Sequence, residues 1–362
     1  MKKIKVELDL GSYQIIIGRG IIGMLGKILR EIKLPKYTFI ITNQKISSLY
    51  SKFIRGSLEK AGFKLKFFEV PDTERSKSFK QVKRLLTELV LWGRERQLFI
   101  VGFGGGVIGD ITGFCASVYK RGIPYIQIPT TLLAQIDSSI GGKTAIDLPV
   151  AKNMIGTFYQ PKLVFSDILF LSTLNKAQLR SGLAEAIKYG VIKDKQLFEF
   201  IEREYLKLLN LDLNLLEKLI FLCSRIKAEI ISKDEREEKN IRTHLNFGHT
   251  LGHAIETASI FKTYSHGEAI SVGMILASEI SYHLRLLDKD SLSRIENIIS
   301  RVGLPTNLRG LKLEDILSAQ LFDKKFIGKK NRFVLPVKIG RTIIYENVPL
   351  KLIRKLIYRR LL

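Results

Sequence analysis

The sequence predicts an α/β domain in the first half of the chain and an all-α domain in the second half. Up to about residue 170, short β-branched runs alternate with helical segments, which is typical of a mostly parallel sheet covered on both faces. From about residue 172, apolar residues recur with the 3.6-residue period of helices. A chain of 362 residues also exceeds the usual single core, so two domains are expected.

The elements of the first half follow from runs of β-branched and aromatic residues separated by amphipathic segments. The N-terminal MKKIKVELDLGSYQIIIG alternates charged and apolar residues, as a surface strand does. Five further strands are predicted at YTFIITN, LKFFEV, QLFIVGF, YIQIP and KLVFSD. Helices are predicted at SLYSKFIRGSLEKAG and KSFKQVKRLLTELVLW.

The elements of the second half are mainly helices. Helical periodicity runs through STLNKAQLRSGLAEAIKYGVI, DKQLFEFIEREYLKLL, LNLLEKLIFLCSRIKAEIISKDE and GEAISVGMILASEISYHLRLL. Late in the chain, RFVLPVKIGRTIIYENV has the pattern of a short hairpin, although the Pro inside it weakens that prediction.

Composition limits the classes of function without choosing among them. The formal charge is +24, from 59 Lys plus Arg against 35 Asp plus Glu, which suits anionic partners of any size. The basic residues form separate short clusters without a nucleic-acid-binding signature, so a basic solvated surface is expected and no specific nucleic-acid partner. No apolar run approaches the roughly 20 residues that span a bilayer, and the N-terminus lacks the apolar core of a signal peptide. Cys115 and Cys223 show no metal spacing, and a reducing cytoplasm is the expected compartment.

A glycine-rich turn follows the predicted strand QLFIVGF. Gly104, Gly106 and Gly109 match GxGxxG, a spacing that lets backbone N–H groups approach a pyrophosphate at a helix N-terminus. The ordinary dinucleotide fingerprint lies near the chain start and has an acidic residue about 20 positions later, and neither condition holds here. A tight turn without a ligand is the alternative interpretation.

The stretch after this turn is rich in polar residues between short apolar runs. If buried, these side chains would all need partners, and a ligand carrying phosphate or carboxylate would supply them. They are Arg121, Asp137, Lys143, Lys152 and Asn153.

Three of the five histidines lie in HLNFGHTLGHAIE. His249 and His253 are four residues apart, which places both imidazoles on one face of a helix. Thr250 stands where a metalloprotease has Glu, so the HxxxH pair taken alone indicates a structural or surface role more often than a metal site.

Two further features favour a metal. His266 opens another helical pattern, and Glu185 lies in an apolar helical segment, where it shares a face with Lys188. A buried carboxylate needs compensation, and two His with one carboxylate leave an open position on Zn²⁺ or a similar ion.

Taken together, the motifs resemble the 3-dehydroquinate synthase family of sugar-phosphate cyclases along nearly the whole chain. They are PDTERSKS, GGGVIGDITGF, RGIPYIQIPTTLLAQIDSSIGGKT, KNMIGTFYQP, SGLAEAIKYG, DERE, LNFGHTLGHAIE, HGEAISVGM and DKK. The resemblance implies a Rossmann-like parallel α/β NAD-binding domain at residues 1–171. It also implies a mainly helical metal- and substrate-binding domain at residues 172–362, with the active site in the cleft between them.

The resemblance further implies an NAD- and metal-dependent lyase of the shikimate pathway, which supplies aromatic amino acids. The reaction converts 3-deoxy-D-arabino-heptulosonate 7-phosphate to 3-dehydroquinate and phosphate. It proceeds by transient oxidation of a substrate alcohol, phosphate elimination, reduction, ring opening and intramolecular aldol closure. The substrate is a small anionic sugar-acid phosphate, and the family makes a homodimer the expected assembly.

Site residues carry over from the family by position. The implied ligands of Zn²⁺ or Co²⁺ are Glu185, His249 and His266, and His253 would serve the substrate by hydrogen bonding and proton handling. The implied NAD contacts are Asp72, Glu74, Lys77, Gly106, Gly109, Asp110, Thr130, Thr131, Lys143, Lys152 and Thr173. The implied substrate contacts are Arg121, Asp137, Lys143, Asn153, Lys188, Lys227, Arg242, Asn246, either Glu237 or Glu238, and either Lys324 or Lys325.

The chain departs from the family pattern in a few places. Asp147, Leu148 and Ala151 stand where the family more often has Asn, His and Gly. The segment between the DERE motif and Arg242 is one residue longer than usual, which leaves open which glutamate contacts the substrate. His244 has no family role, and we expect it on the surface.

Three rival functions follow from the same residues. Another sugar-phosphate cyclase would keep the NAD and metal sites with other substrate contacts, and a metal-dependent polyol dehydrogenase would release NADH. A nucleic-acid-binding module would use the net positive charge, and its affinity would fall steeply with salt.

Overall fold

The computed structural model describes residues 1–9, 11–71, 73–148, 151–259, 263–321 and 331–362. The strands are β1 (Lys2–Val6), β2 (Tyr13–Gly18), β3 (Tyr37–Thr42), β4 (Lys64–Glu69), β5 (Leu98–Gly104), β6 (Tyr125–Pro129), β7 (Lys143–Leu148), β8 (Ala151–Phe158), β9 (Leu163–Asp167), β10 (Arg332–Lys338) and β11 (Arg341–Glu346). The helices are α1 (Leu25–Glu31), α2 (Gln44–Lys60), α3 (Phe79–Gly93), α4 (Gly106–Val118), α5 (Lys176–Ile192), α6 (Lys195–Leu209), α7 (Leu213–Lys233), α8 (His249–Ala258), α9 (His266–His283), α10 (Lys289–Val302), α11 (Leu313–Leu321) and α12 (Leu350–Arg360).

These elements form two compact units. The first comprises residues 1–174 together with 216–232, and the second comprises residues 175–215 and 233–362. Most of α7 therefore belongs to the first unit, although it lies in the helical half of the sequence. Ser224 on this helix donates a hydrogen bond to the Gln135 carbonyl over 3.3 Å, and both residues are buried.

The first unit contains a seven-stranded sheet in the order β1-β2-β9-β6-β5-β3-β4. All neighbours are parallel except β1, which runs antiparallel to β2. The six predicted strand regions are therefore present, and the parallel sheet is confirmed. An antiparallel hairpin of β7 and β8, which the sequence pattern did not predict, stands apart from this sheet.

Both faces of the sheet are covered because its strands are apolar on both sides. On β5, Phe99, Val101 and Phe103 pack in one core cluster, while Leu98 and Ile100 pack in the other. The first cluster includes residues of α1 and α2, and the second includes residues of α3 and α4. This arrangement follows from the period of two along a strand.

The second unit is built around α5 and α9, whose residues are largely buried. β10 and β11 pair as the predicted hairpin, with Pro336 opposite Thr342 and a shift in pairing between Pro336 and Lys338. The proline is therefore accommodated next to an irregularity of the ladder.

Helices α8 and α9 approach each other closely through glycine. A Cβ atom on Gly273 of α9 would lie 2.1 Å from the carbonyl oxygen of Gly248, the residue before α8. Gly248 itself has φ of 78°, which favours glycine. The imidazoles of His249 on α8 and His266 on α9 have ring centres 5.5 Å apart. Among the described residues, none of the helices combines the length and apolar character needed to cross a membrane.

Candidate metal centre and cofactor site

Glu185, His249 and His266 come together inside the second unit. One potential ligand atom from each lies within 4.8 Å of the others. Glu185 Oε1 is 3.3 Å from His266 Nε2 and 3.5 Å from His249 Nε2, and the Glu185 side chain is fully buried. A carboxylate with two imidazoles at this spacing fits a divalent ion such as Zn²⁺ or Co²⁺.

The surroundings of His249 favour a neutral imidazole with Nε2 directed at Glu185. Its Nδ1 lies 3.1 Å from the Phe247 carbonyl, to which the N–H form donates, and this leaves Nε2 directed at Glu185. Burial, followed by the positive charge of Lys188 and the neighbouring imidazoles, holds the pKa of His249 well below its usual range. A neutral imidazole is the form that binds a metal.

His266 and Glu185 are surrounded by charged partners. Burial lowers the pKa of His266, but hydrogen bonds with Glu185 and Glu256 outweigh this effect and raise it to about 10. Lys188 forms a close ion pair with Glu185 one helical turn away. The cluster therefore balances a buried carboxylate with positive charge, as a bound cation would.

Sequence reasoning missed Glu256, which lies against this cluster. Its Oε2 is 3.5 Å from His266 Nδ1 and 3.8 Å from His253 Nδ1, and the residue is 4% exposed. The His253 ring centre lies 5.3 Å from that of His249. The sequence signal that could have identified Glu256 is its position three residues after His253 in a helix with an apolar face.

A loop before α8 carries three of the predicted substrate residues. Asn246 Nδ2 donates to Glu237 Oε1 over 2.8 Å, which places Glu237 beside Asn246 and favours it over Glu238. Arg242 is buried, and its guanidinium donates to the Glu235 carbonyl. The structure thus brings Glu237 and Asn246 together in the same loop as Arg242.

Asp234, which sequence reasoning also missed, holds this loop. Its Oδ1 accepts the backbone N–H groups of residues 238 and 239, and its Oδ2 accepts those of residues 241 and 242, over 2.9 to 3.1 Å. Burial raises the pKa of Asp234, but these four hydrogen bonds outweigh it and hold the pKa below the usual range.

His244 is half-buried rather than on the open surface. Its Nδ1 lies 2.7 Å from Thr342 Oγ1 on β11, and burial lowers its pKa. The expectation of a surface side chain is therefore wrong, because the hairpin of β10 and β11 packs near this residue.

In the first unit, several predicted NAD contacts gather around Lys77. Its Nζ lies 2.8 Å from Asp110, 3.6 Å from Glu74 and 3.9 Å from Asp147, and it donates to Asn153 Oδ1. Lys152 Nζ lies 3.8 Å from Glu74. Burial lowers the pKa of Lys77, but the three carboxylates outweigh this effect and raise it.

The glycine turn joins β5 to α4 as predicted. Gly105 is the N-cap residue of α4. It has no side chain that could accept hydrogen bonds from the first N–H groups of the helix. A Cβ on Gly109 would lie 2.9 Å from Gln127 Oε1 on β6, so this glycine permits close packing of helix and sheet. Thr130 N–H donates to the Gly104 carbonyl over 3.0 Å, and Thr131 Oγ1 accepts from Ala134 N–H. The turn lies at the N-terminus of α4, directly after β5, which is the kind of position where a pyrophosphate can bind.

The remaining predicted residues have separate surroundings. Lys227 on α7 donates to the Asp137 carbonyl over 2.8 Å and pairs with its carboxylate, so these two predicted substrate residues are joined. Thr173 Oγ1 lies 2.9 Å from the Tyr50 hydroxyl, and Lys143 Nζ lies 5.9 Å from the Phe158 ring centre. Arg121 has a backbone φ of 63°. The predicted residues Asp72, Lys324 and Lys325 lie outside the described residues.

Two protein-family models together match most of the chain. The model described as 3-dehydroquinate synthase N-terminal matches residues 67–181, and the one described as 3-dehydroquinate synthase C-terminal matches residues 182–326. A 3-dehydroquinate synthase from Thermodesulfovibrio yellowstonii is 48% identical over 342 residues, which cover 94% of this chain and 95% of that protein.

Solved structures of sister cyclases share the fold at lower identity. The 2-epi-5-epi-valiolone synthase of Streptomyces hygroscopicus, solved with NAD⁺ and Zn²⁺ bound, is 26% identical with a TM-score of 0.89 and 97% of each chain covered. A 2-deoxy-scyllo-inosose synthase complexed with carbaglucose-6-phosphate, NAD⁺ and Co²⁺ is 24% identical with a TM-score of 0.89 and coverage of 99% of this chain and 100% of that one. The latter similarity supports the fold alone.

Proposed function

The chain belongs to the 3-dehydroquinate synthase family, and from that premise we propose how its residues carry out the family's reaction. The reaction converts 3-deoxy-D-arabino-heptulosonate 7-phosphate to 3-dehydroquinate and phosphate in the shikimate pathway. The identity of 48% with a 3-dehydroquinate synthase supports this substrate over those of the sister cyclases. The observation that carries the site assignment is the cluster of Glu185, His249 and His266.

The residues of the chain fit both cofactors. Glu185, His249 and His266 would hold the divalent ion, Zn²⁺ or Co²⁺, and the glycine turn with the residues around Lys77 would hold NAD. When bound, NAD⁺ supplies the oxidation and re-reduction of a substrate alcohol, and the ion supplies polarisation of its oxygen. The NAD⁺ and Zn²⁺ bound in the valiolone synthase support this pair of cofactors.

The basic residues serve the anionic substrate. We place Arg242 and Lys227 against its phosphate or carboxylate, because an Arg fork binds such groups through two hydrogen bonds and Lys acts as a point charge. The Arg242 guanidinium donates to the Glu235 carbonyl, and the Lys227 ammonium pairs with the Asp137 carboxylate. Both side chains are thus oriented before the substrate arrives.

Proton transfer falls to His253 in this proposal. Its Nδ1 faces Glu256, so we place proton exchange with the substrate at Nε2, the opposite ring nitrogen. The His253 side chain is 42% exposed, whereas that of His249 is 11% exposed. The more accessible imidazole is therefore the one assigned to the substrate.

We also propose that the protein acts as a cytoplasmic homodimer without a specific nucleic-acid partner. Cys115 and Cys223 are both buried as thiols, which agrees with a reducing compartment. The homodimer rests on the family resemblance. The net charge of +24 suits attraction of a small anionic substrate.

Replacement of Glu185 tests the metal assignment. We expect Glu185→Gln to lower Zn²⁺ affinity by at least about 100-fold and to lower turnover with it, because a ligand is lost from a three-residue set. The measurement is metal content after dialysis together with phosphate release. Glu314→Gln is the control, since the Glu314 side chain is 70% exposed. Full activity of Glu185→Gln stripped of metal would rule out the proposed site.

A further inference from the structure

Glu256 is a buried carboxylate in contact with two histidines that have different proposed roles. The same oxygen, Oε2, lies 3.5 Å from His266 Nδ1 and 3.8 Å from His253 Nδ1. The residue is 4% exposed, so neither contact is a surface ion pair. Glu256 is not among the metal, NAD or substrate contacts that the family resemblance implies.

The contact with His266 fixes the orientation of a metal ligand. The opposite ring nitrogen, Nε2, lies 3.3 Å from Glu185 Oε1, so the imidazole is held between two carboxylates. A ligating histidine commonly donates its second N–H to a carboxylate, which sets the ring orientation and raises the basicity of the ligating atom. Glu256 has the position of that acceptor.

The contact with His253 arises within one helix. His253 and Glu256 are three residues apart on α8, a spacing that places their side chains on one face. The helix begins at His249, so one short element carries a metal ligand, the proton-handling group and Glu256. Nδ1 of His253 and Nδ1 of His266 therefore both face the same carboxylate oxygen.

We propose that Glu256 is a positioning residue that orients His266 toward the metal and His253 toward the substrate through one carboxylate oxygen. The inference rests on the proposed metal site, and it adds a residue that links this site to the proton-transferring group. Loss of the carboxylate affects both functions, whereas loss of His253 affects only the second.

The test uses the full-length variants Glu256→Gln and Glu256→Ala. We expect the Zn²⁺ dissociation constant, measured by competition with a chromophoric chelator, to rise by about 10- to 100-fold in both. The visible absorption of bound Co²⁺ should change as well, because the ligand orientation changes. At saturating Zn²⁺, kcat should stay below the parent value by about tenfold or more, with a smaller change in KM. A purely structural role would leave the Co²⁺ spectrum of folded protein unaltered.

Three further variants separate the possible outcomes. His253→Ala should keep the parent Zn²⁺ affinity while lowering kcat, Glu185→Gln should lose Zn²⁺, and the exposed Glu314→Gln should match the parent. Parent-like Zn²⁺ affinity and Co²⁺ spectrum in Glu256→Gln, with loss of Zn²⁺ in Glu185→Gln, would overturn the role of Glu256 alone. Parent-like affinity in Glu185→Gln would instead show that the metal site itself is wrong. Glu256→Gln is nearly isosteric, so it decides the question if Glu256→Ala does not fold.

Discussion

Lys77 is a buried cation whose surroundings explain its place in the first unit. Its side chain is 4% exposed and lies near Asp110, Glu74 and Asp147. A lysine buried to this degree is stable only because carboxylates compensate its charge. Asp147 is the most distant of the three, with its Oδ1 3.9 Å from Lys77 Nζ.

Replacement of Lys77 should therefore destabilise the protein. We expect Lys77→Met to lower the free energy of unfolding by about 3 kcal/mol, because the carboxylates are left without their cation. The measurement is urea denaturation followed by circular dichroism. Lys66→Met is the matched control, since the Lys66 pair with Glu88 is one-third exposed and should contribute at most about 1 kcal/mol.

A double variant shows whether the charges are the cause. Lys77→Met combined with Asp110→Asn should recover part of the lost stability, because one of the uncompensated carboxylates is removed. Equal urea midpoints for Lys77→Met and the parent would contradict this explanation.

Individual site residues differed in how far the sequence revealed them. His249, His266 and Glu185 were identifiable because histidine is rare in the chain and the glutamate stands in an apolar helix. Glu256 and Asp234 gave no comparable signal, since an acidic residue near a helix end is usually solvated. Their roles depend on burial and on partners that only the folded chain brings within reach.

The loop between α7 and α8 shows how a single carboxylate can organise an element. Residues Glu237 and Asn240 have φ of 64° and 62°, a left-handed conformation that is unfavourable for most side chains. Asp234 offsets this cost by accepting four backbone hydrogen bonds from the same loop. The loop that carries Glu237, Arg242 and Asn246 is thereby tied to one buried carboxylate.

Replacement of Asp234 should weaken this loop in a pH-dependent way. We expect Asp234→Asn to lower the free energy of unfolding by about 1–3 kcal/mol at pH 7, because an amide cannot accept all four hydrogen bonds. The folded-state pKa is lowered, so the stabilisation is present above the unfolded pKa of about 3.9 and is lost as the pH falls through the folded pKa.

Urea midpoints at several pH values check this sign. The urea midpoint of Asp234→Asn should lie furthest below that of the parent at pH 7, and the two midpoints should approach each other below about pH 4. Asp315→Asn, at an exposed position in α11, serves as the charge-matched control. A difference that grows as the pH falls would contradict the role assigned to Asp234.

Two elements show the limits of pattern reasoning. The hairpin of β7 and β8 was not predicted because KTAIDL and AKNMIGTF are short, polar in part and separated by a proline. Helix α7 was predicted correctly as a helix, but its membership of the first unit depends on long-range packing, such as the contact of Ser224 with Gln135.

Over the full chain, the order of strands and helices carried most of the information about the fold. Alternation of strands and helices predicted the parallel sheet, and helical periodicity predicted the helices of the second unit. Net charge alone did not choose a partner, because it suits nucleic acid and a sugar phosphate equally. The motifs decided the family, and the comparisons confirm it over nearly the full length of the chain.

We propose that this chain releases phosphate from 3-deoxy-D-arabino-heptulosonate 7-phosphate with recycled NAD⁺ and a bound divalent ion. The most direct measurement is phosphate release with catalytic NAD⁺, with and without a chelator, while absorbance is monitored for free NADH. We predict many turnovers per NAD⁺, loss of activity with the chelator and no accumulation of NADH. Absence of phosphate release by folded, metal-loaded protein, or steady accumulation of NADH, would contradict the claim.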